Sequence, residues 1–149
     1  MHEWLHRLDI RYDASSFDTD PFEPQSDGIG TIFPILQEGS PPAEGYVELP
    51  YTLPQDFTLY ILFGERDIGT WKKKLQWIVE HGGMALVNTH PDYMCFDGRP
   101  SYDEYPVELY RDLLMHLQGE YRGEYWLQLP HEMASYWRCT VHGNRKLRS

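Results

Sequence analysis

The clearest pattern of apolar positions lies near the middle of the chain. Five apolar residues recur there at intervals of mostly three or four: Ile68, Trp71, Leu75, Ile78 and Val79. This spacing places them on one face of an α-helix. The paired glycines at 82 and 83 predict where the helix ends, because glycine is common just past a helix terminus.

Other stretches also have helical spacing. Residues 103–117 predict a second long helix, and Pro130 predicts the first turn of a last helix that runs to about 138. Residues 3–8 are too short for a whole helix and indicate only the end of one. Residues 140–149 are predicted to be a flexible tail.

Short apolar runs between these helices predict β-strands. The runs are residues 10–13, 31–36, 46–49, 57–63, 84–87 and 125–129. The run at 57–63 is almost continuously apolar, which is typical of a strand covered on both faces. Strands that alternate with helices predict an α/β fold with mostly parallel strands and amphipathic crossover helices.

Charge and hydropathy exclude several classes of partner. The 13 basic and 23 acidic residues give a formal charge of −10, which repels phosphate backbones, so we expect no nucleic-acid partner. No apolar stretch approaches the ~20 residues that span a bilayer, so we expect no membrane partner either. The amino terminus lacks a secretory pattern, and Cys95 and Cys139 lack CxxC spacing. We therefore expect reduced thiols in the cytoplasm, with one disulfide as the open alternative.

His90 is the strongest candidate for chemistry. It comes soon after a predicted buried strand, and the carboxyl ends of parallel strands are where such folds collect functional groups. Histidine titrates near neutral pH and therefore suits general acid or base catalysis. Asp13, after the first strand, is a candidate to orient the imidazole. The alternatives are a structural His90 in a loop stiffened by Pro91, and an Asp13 that only stabilises a turn.

Three strings carry a family resemblance: YDASSFDTDPFEPQ at 12–25, ELPYTLPQD at 48–56 and NTHPDY at 88–93. Together they resemble a branch of the polysaccharide deacetylases, carbohydrate esterase family four, over about residues 5–134. The resemblance implies a single partial domain over 1–149 that forms the carboxy-terminal half of a distorted (β/α) barrel.

The same resemblance implies an activity, which is hydrolysis of N-acetyl groups on an amino sugar or polysaccharide. It makes His90 the catalytic acid and Asp13 the carboxylate that supports it. The flanking residues are expected to bind the carbohydrate: Tyr12, Asn88, Thr89, Asp92 and Tyr93. The family usually has leucine just before its acid histidine, whereas Asn88 and Thr89 precede His90 here, and this departure bears on the acetyl pocket.

The complete family enzyme uses a divalent metal such as zinc, and its aspartate and paired-histidine motifs have no counterpart in this sequence. We therefore expect no metal or other cofactor in this chain and no activity from it alone. Three arrangements stay open. The chain is completed by an amino-terminal half, it is a non-catalytic carbohydrate-binding module, or it forms a homo-oligomer that covers the strand edge near residues 10–13.

Overall fold

The structure, a computed structural model, describes residues 4–5, 8–18, 30–38 and 45–146, with side chains described through residue 141. Within these residues the chain has three α-helices and two small sheets, and this confirms the predicted α/β class. The strands in the described part of the chain do not close a barrel.

The first sheet has three strands. They are β1 (Tyr12–Asp13), β2 (Ile35–Gln37) and β3 (Tyr46–Glu48). β3 lies in the middle, parallel to β1 and antiparallel to β2. All three residues of β3 are buried, as expected for a central strand.

Two isolated parallel bridges extend this arrangement toward the carboxyl ends of the strands. Phe17 pairs with Tyr51, and Leu53 pairs with Val87. The segment that follows β3 therefore runs alongside two other segments, one from β1 and one that ends near Val87. Residues that come just after Leu53 and Val87 emerge at the same edge.

The predicted strand at 57–63 is wrong, because the chain forms a π-helix over Phe57–Leu62. The N–H of Phe63 donates to the carbonyl of Thr58, five residues back, at 3.0 Å. The carboxylate of Asp56 accepts from the N–H of Phe57 and caps this helix. A short, continuous apolar run does not distinguish a buried strand from a buried helix, and here the helix forms.

The predicted central helix is confirmed as α1 (Gly69–His81). It ends at Gly82, whose φ of 69° is left-handed and therefore favours glycine. Its buried face consists of Trp71, Leu75 and Ile78. Val79, which the spacing placed beside this face, is 47% exposed.

The second half of the chain contains a 3₁₀ turn, a two-stranded sheet and two helices. The elements are the turn Pro91–Tyr93, β4 (Met94–Cys95), β5 (Tyr105–Pro106), α2 (Glu108–Glu120) and α3 (Pro130–Lys146). β4 and β5 pair in parallel. Because β5 takes up the start of the helix predicted at 103–117, α2 begins later, at Glu108. α3 begins at Pro130 as predicted and includes most of the predicted tail, while 147–149 lie outside the described residues.

The predicted strand at 125–129 is also wrong. This segment forms no strand, and its apolar side chains are largely exposed: Tyr125 46%, Trp126 53%, Leu127 80% and Leu129 59%. The segment connects α2 to α3 and lies along the mouth of a cavity. An apolar run indicates burial only when another element covers it.

The core consists of two apolar clusters. The larger includes Trp71, Leu75 and Leu113 and joins α1 to α2. The smaller is formed by Val47, Leu49 and Ala134, where α3 packs on the first sheet. No helix among the described residues is long and apolar enough to cross a membrane.

Both cysteines are free thiols. Cys95 is buried in β4, and Cys139 is exposed on α3. The disulfide that the sequence left open is therefore not formed.

Candidate functional site

Asp56 and His90 meet at the ends of two neighbouring parallel segments. Leu53 and Val87 form a parallel bridge. Asp56 lies three residues after Leu53, and His90 lies three residues after Val87. Neighbouring strands are about 4.8 Å apart, so side chains at equal distances beyond a bridge are within reach of each other. This is the strand edge where α/β folds usually place functional groups.

The carboxylate of Asp56 is fully buried and accepts four hydrogen bonds. Oδ1 accepts from the N–H of Phe57 at 2.8 Å and contacts Nδ1 of His90 at 2.7 Å. Oδ2 accepts from the backbone N–H of His90 at 2.7 Å and from the hydroxyl of Tyr105 at 2.9 Å. A buried carboxylate needs such donors because it is cut off from water.

These bonds determine which nitrogen of His90 carries the proton in the neutral ring. Since an ionised carboxylate only accepts hydrogen bonds, Nδ1 is assigned as the donor to Asp56. Nε2 is then the nitrogen left for other chemistry, and the His90 side chain is 37% exposed. In the protonated ring the same contact is an ion pair.

Aromatic packing holds the pair in place. The ring centroids of His90 and Tyr93 lie 5.4 Å apart, and those of Tyr93 and Phe57 lie 5.1 Å apart. On the buried side the ring of Tyr60 packs on that of Tyr105, with the two centroids 4.6 Å apart. The indole N–H of Trp71 donates to the Pro54 carbonyl at 2.6 Å and fixes the chain just before Asp56. These contacts restrict the rotamers of the site.

Burial and nearby carboxylates keep two tyrosines of this region protonated. The pKa of Tyr105 is raised, first by burial and then by the charge of Asp56 and the hydrogen bond to it. The pKa of Tyr60 is raised by burial and then by surrounding carboxylates, of which Glu65 contributes most. Tyr105 therefore remains a hydrogen-bond donor to Asp56 throughout the physiological pH range.

Asp13 does not occupy the predicted place beside His90, and the structure corrects that pairing to Asp56. Asp13 is the last residue of β1 and pairs with Glu48, which lies eight residues before Asp56 along the chain. Its carboxylate accepts from the hydroxyl of Ser15 at 2.6 Å. The register of β1 on β3 is the reason, since it aligns Asp13 with Glu48 and not with Asp56.

The other predicted site residues fall into two groups, one in β1 and one beside His90. Tyr12 is in the first group, because it lies in β1 next to Asp13 and pairs with Val47. Four predicted residues flank His90 directly: Asn88 and Asp92, which are exposed, and Thr89 and Tyr93, which are half-buried. Of these, Tyr93 contacts the His90 ring.

Sequence reasoning missed Asp56 and Tyr105. A weak signal for Asp56 exists in its spacing. Asp56 lies three residues after the apolar Leu53, as His90 lies three residues after the apolar Val87. No comparable signal exists for Tyr105, because its contact with Asp56 spans 49 residues.

The described residues do not by themselves fit a catalytic metal. No group of three histidine, cysteine, aspartate or glutamate side chains with metal-binding spacing occurs in the described part of the chain. The oxygens of Asp56 are occupied by four hydrogen bonds, and His90 offers only Nε2. A structural or catalytic zinc site needs three or four protein ligands.

Comparisons of the chain with models of known families, with curated proteins and with solved structures find no match. The resemblance to the polysaccharide deacetylases therefore stays a prediction. The chemistry of the site is inferred from Asp56, His90 and the groups around them.

Proposed function

We propose that His90 is the general acid of a polysaccharide-deacetylase-like hydrolase, which removes N-acetyl groups from an amino sugar or polysaccharide. The observation that supports this most is the 2.7 Å contact between His90 Nδ1 and the buried carboxylate of Asp56. A half-exposed imidazole whose inner nitrogen is held by a carboxylate is a common arrangement for proton transfer at the outer nitrogen.

In the proposed reaction, water adds to the acetyl carbon and the bond between that carbon and the amide nitrogen breaks. The bonding electrons go to the nitrogen, which leaves as an amine once it takes a proton from Nε2 of His90. Asp56 stabilises the protonated imidazole before this transfer, because its carboxylate lies against Nδ1. Because His90 begins the step protonated, it does not take the proton that the attacking water loses, and a base outside this pair accepts that proton.

The activation of water is therefore assigned to residues outside this pair. We propose that the chain does not hydrolyse the amide alone and acts with a complementing amino-terminal half or in a homo-oligomer. We also propose a cytoplasmic setting, which the free thiols of Cys95 and Cys139 favour.

The test is acetate release from an oligomer of N-acetylglucosamine, measured for the chain alone and together with the metal-binding half that the resemblance implies. In the active assembly His90→Ala should lower turnover about 10²–10⁴-fold. Asp56→Asn should lower turnover less, because the proton donor remains, and Asp13→Asn is the matched control that should leave it nearly unchanged. Full turnover of His90→Ala would contradict the proposal.

A second candidate is a non-catalytic carbohydrate-binding module. It is favoured by two strongly exposed aromatic rings after β4, Phe96 at 71% and Tyr102 at 95%. Aromatic rings of this kind stack on the apolar faces of sugars. If the oligosaccharide binds but is never hydrolysed, and Phe96→Ala and Tyr102→Ala abolish binding while His90→Ala does not, this candidate replaces the first.

A further inference from the structure

A second candidate site lies away from the Asp56–His90 pair. It is a cavity of about 480 Å³ between the carboxyl ends of α1 and α2 and the start of α3. Its walls include Ile78 of the larger apolar cluster and Leu49 of the smaller one, so the cavity borders both clusters. Its volume is within the range of roughly 300–1,000 Å³ that is usual for small-molecule sites.

The lining of this cavity combines aromatic rings with one negative charge. Tyr121, Tyr125 and Trp126 line it, and Glu124 is the only charged residue among the described residues that do so. Glu124 has no ion-pair partner within the part of the chain that the structure describes. Gln128 adds a neutral polar group.

Local backbone geometry brings these groups to the cavity. Gly123 has a φ of 81°, and the N–H of Glu124 donates to the carbonyl of Tyr121 at 3.0 Å, so the chain reverses here. The reversal puts Tyr121 and Glu124 at the same opening. Trp126 is supported from α3 by an edge-to-face contact with Tyr136 at 4.8 Å.

We propose that this cavity binds a small organic cation, an alkylammonium with an apolar body. The faces of tryptophan and tyrosine rings attract cations, and quaternary ammonium groups are typical ligands of aromatic-lined sites. The carboxylate of Glu124 supplies the opposite charge, and the apolar walls suit the body of the ligand. The net charge of −10 favours a cation over an anion at every stage of approach.

Calorimetric titration of the wild-type chain with three probes of equal chain length tests the chemistry. The probes are hexyltrimethylammonium, hexanol and hexyl sulfate. The ammonium should bind at least about ten-fold more tightly than the sulfate, with hexanol between them, because only the ammonium uses both the rings and the carboxylate. Equal binding of the three probes, or no binding of the ammonium, would overturn the proposal.

Three variants locate the site. Trp126→Ala should weaken ammonium binding about ten-fold, and Glu124→Gln should remove most of the preference for ammonium over sulfate. Trp77→Ala is the matched control, because Trp77 is a similarly exposed tryptophan, 44% against 53%, that does not line the cavity. All three residues are at the surface, and unchanged thermal unfolding would show that the variants are folded. If Trp77→Ala weakened binding as much as Trp126→Ala, the site would be elsewhere.

Discussion

The Asp56–His90 pair and the aromatic cavity differ in how they hold their charged groups. Asp56 is fully buried and its two oxygens accept four hydrogen bonds, so each oxygen of this carboxylate has fixed partners. The cavity has apolar walls, and the carboxylate of Glu124 lies among exposed rings. The first site therefore couples chemistry to folding, because its groups also stabilise the native state. The exposed rim of the second does not, so rim residues such as Leu127 can change with little effect on stability.

The largest expected effect on stability follows from Asp56. Asp56→Ala leaves the Tyr105 hydroxyl and the backbone N–H of His90 without their buried acceptor, and we expect it to lower the free energy of unfolding by about 3–5 kcal/mol. Urea denaturation measures the change. Asp13→Ala is the matched control, and because the carboxylate of Asp13 bonds to the hydroxyl of Ser15 at an exposed position, we expect less than about 1 kcal/mol there. Equal losses would contradict the difference between the two carboxylates.

A second comparison sets the core against the rim of the cavity. Leu113 is 1% exposed in the larger cluster, and Leu113→Ala should lower the free energy of unfolding by about 2–5 kcal/mol. Leu127 is 80% exposed at the cavity, and Leu127→Ala should change it by less than about 0.5 kcal/mol. The same denaturation series measures both. A large loss from Leu127→Ala would show that the 125–129 segment is part of the folding core.

The sequence predicts the parts of this molecule that depend on local pattern. The buried positions of α1 and its end at Gly82 follow from spacing and from the glycine. His90 follows from its place after the apolar run at 84–87, although this run forms an isolated bridge at Val87 and not the predicted strand. The pairing of Leu53 with Val87 spans 34 residues, and because no local pattern encodes it, Asp56 was missed as the partner of His90.

The two wrong strands have different causes. At 57–63 the apolar run is buried, but a cap from Asp56 begins a helix that a continuous run does not reveal. At 125–129 the run is exposed because neighbouring elements leave a cavity there and do not cover it. The first outcome depends on a local cap that apolar periodicity does not register, and the second depends on tertiary contacts.

A further expected effect is zero at neutral pH and appears only at high pH. Burial, followed by the charges of Glu48 and Asp13, raises the pKa of Tyr46 from 10.0 to about 12. The native state therefore prefers protonated Tyr46, so its contribution to stability is complete below pH 10 and is lost as the pH rises from 10 through about 12. The unfolding free energy measured across this range should fall less steeply in Tyr46→Phe. Tyr102→Phe, at a residue 95% exposed, should keep the wild-type slope.

The most direct test of the account is the tautomer of His90, read from nitrogen-15 NMR of the imidazole at a pH where the ring is neutral. His81 also directs Nδ1 to an acceptor, the carbonyl of Trp77, so the His90 signals are identified by their loss in His90→Gln. The account predicts a proton on Nδ1 of His90 in the wild type, because Asp56 accepts it at 2.7 Å, and a weakened preference for that tautomer in Asp56→Asn. A proton on Nε2 in the wild type, or the same tautomer ratio in both proteins, would contradict the claim that Asp56 orients His90 for proton transfer.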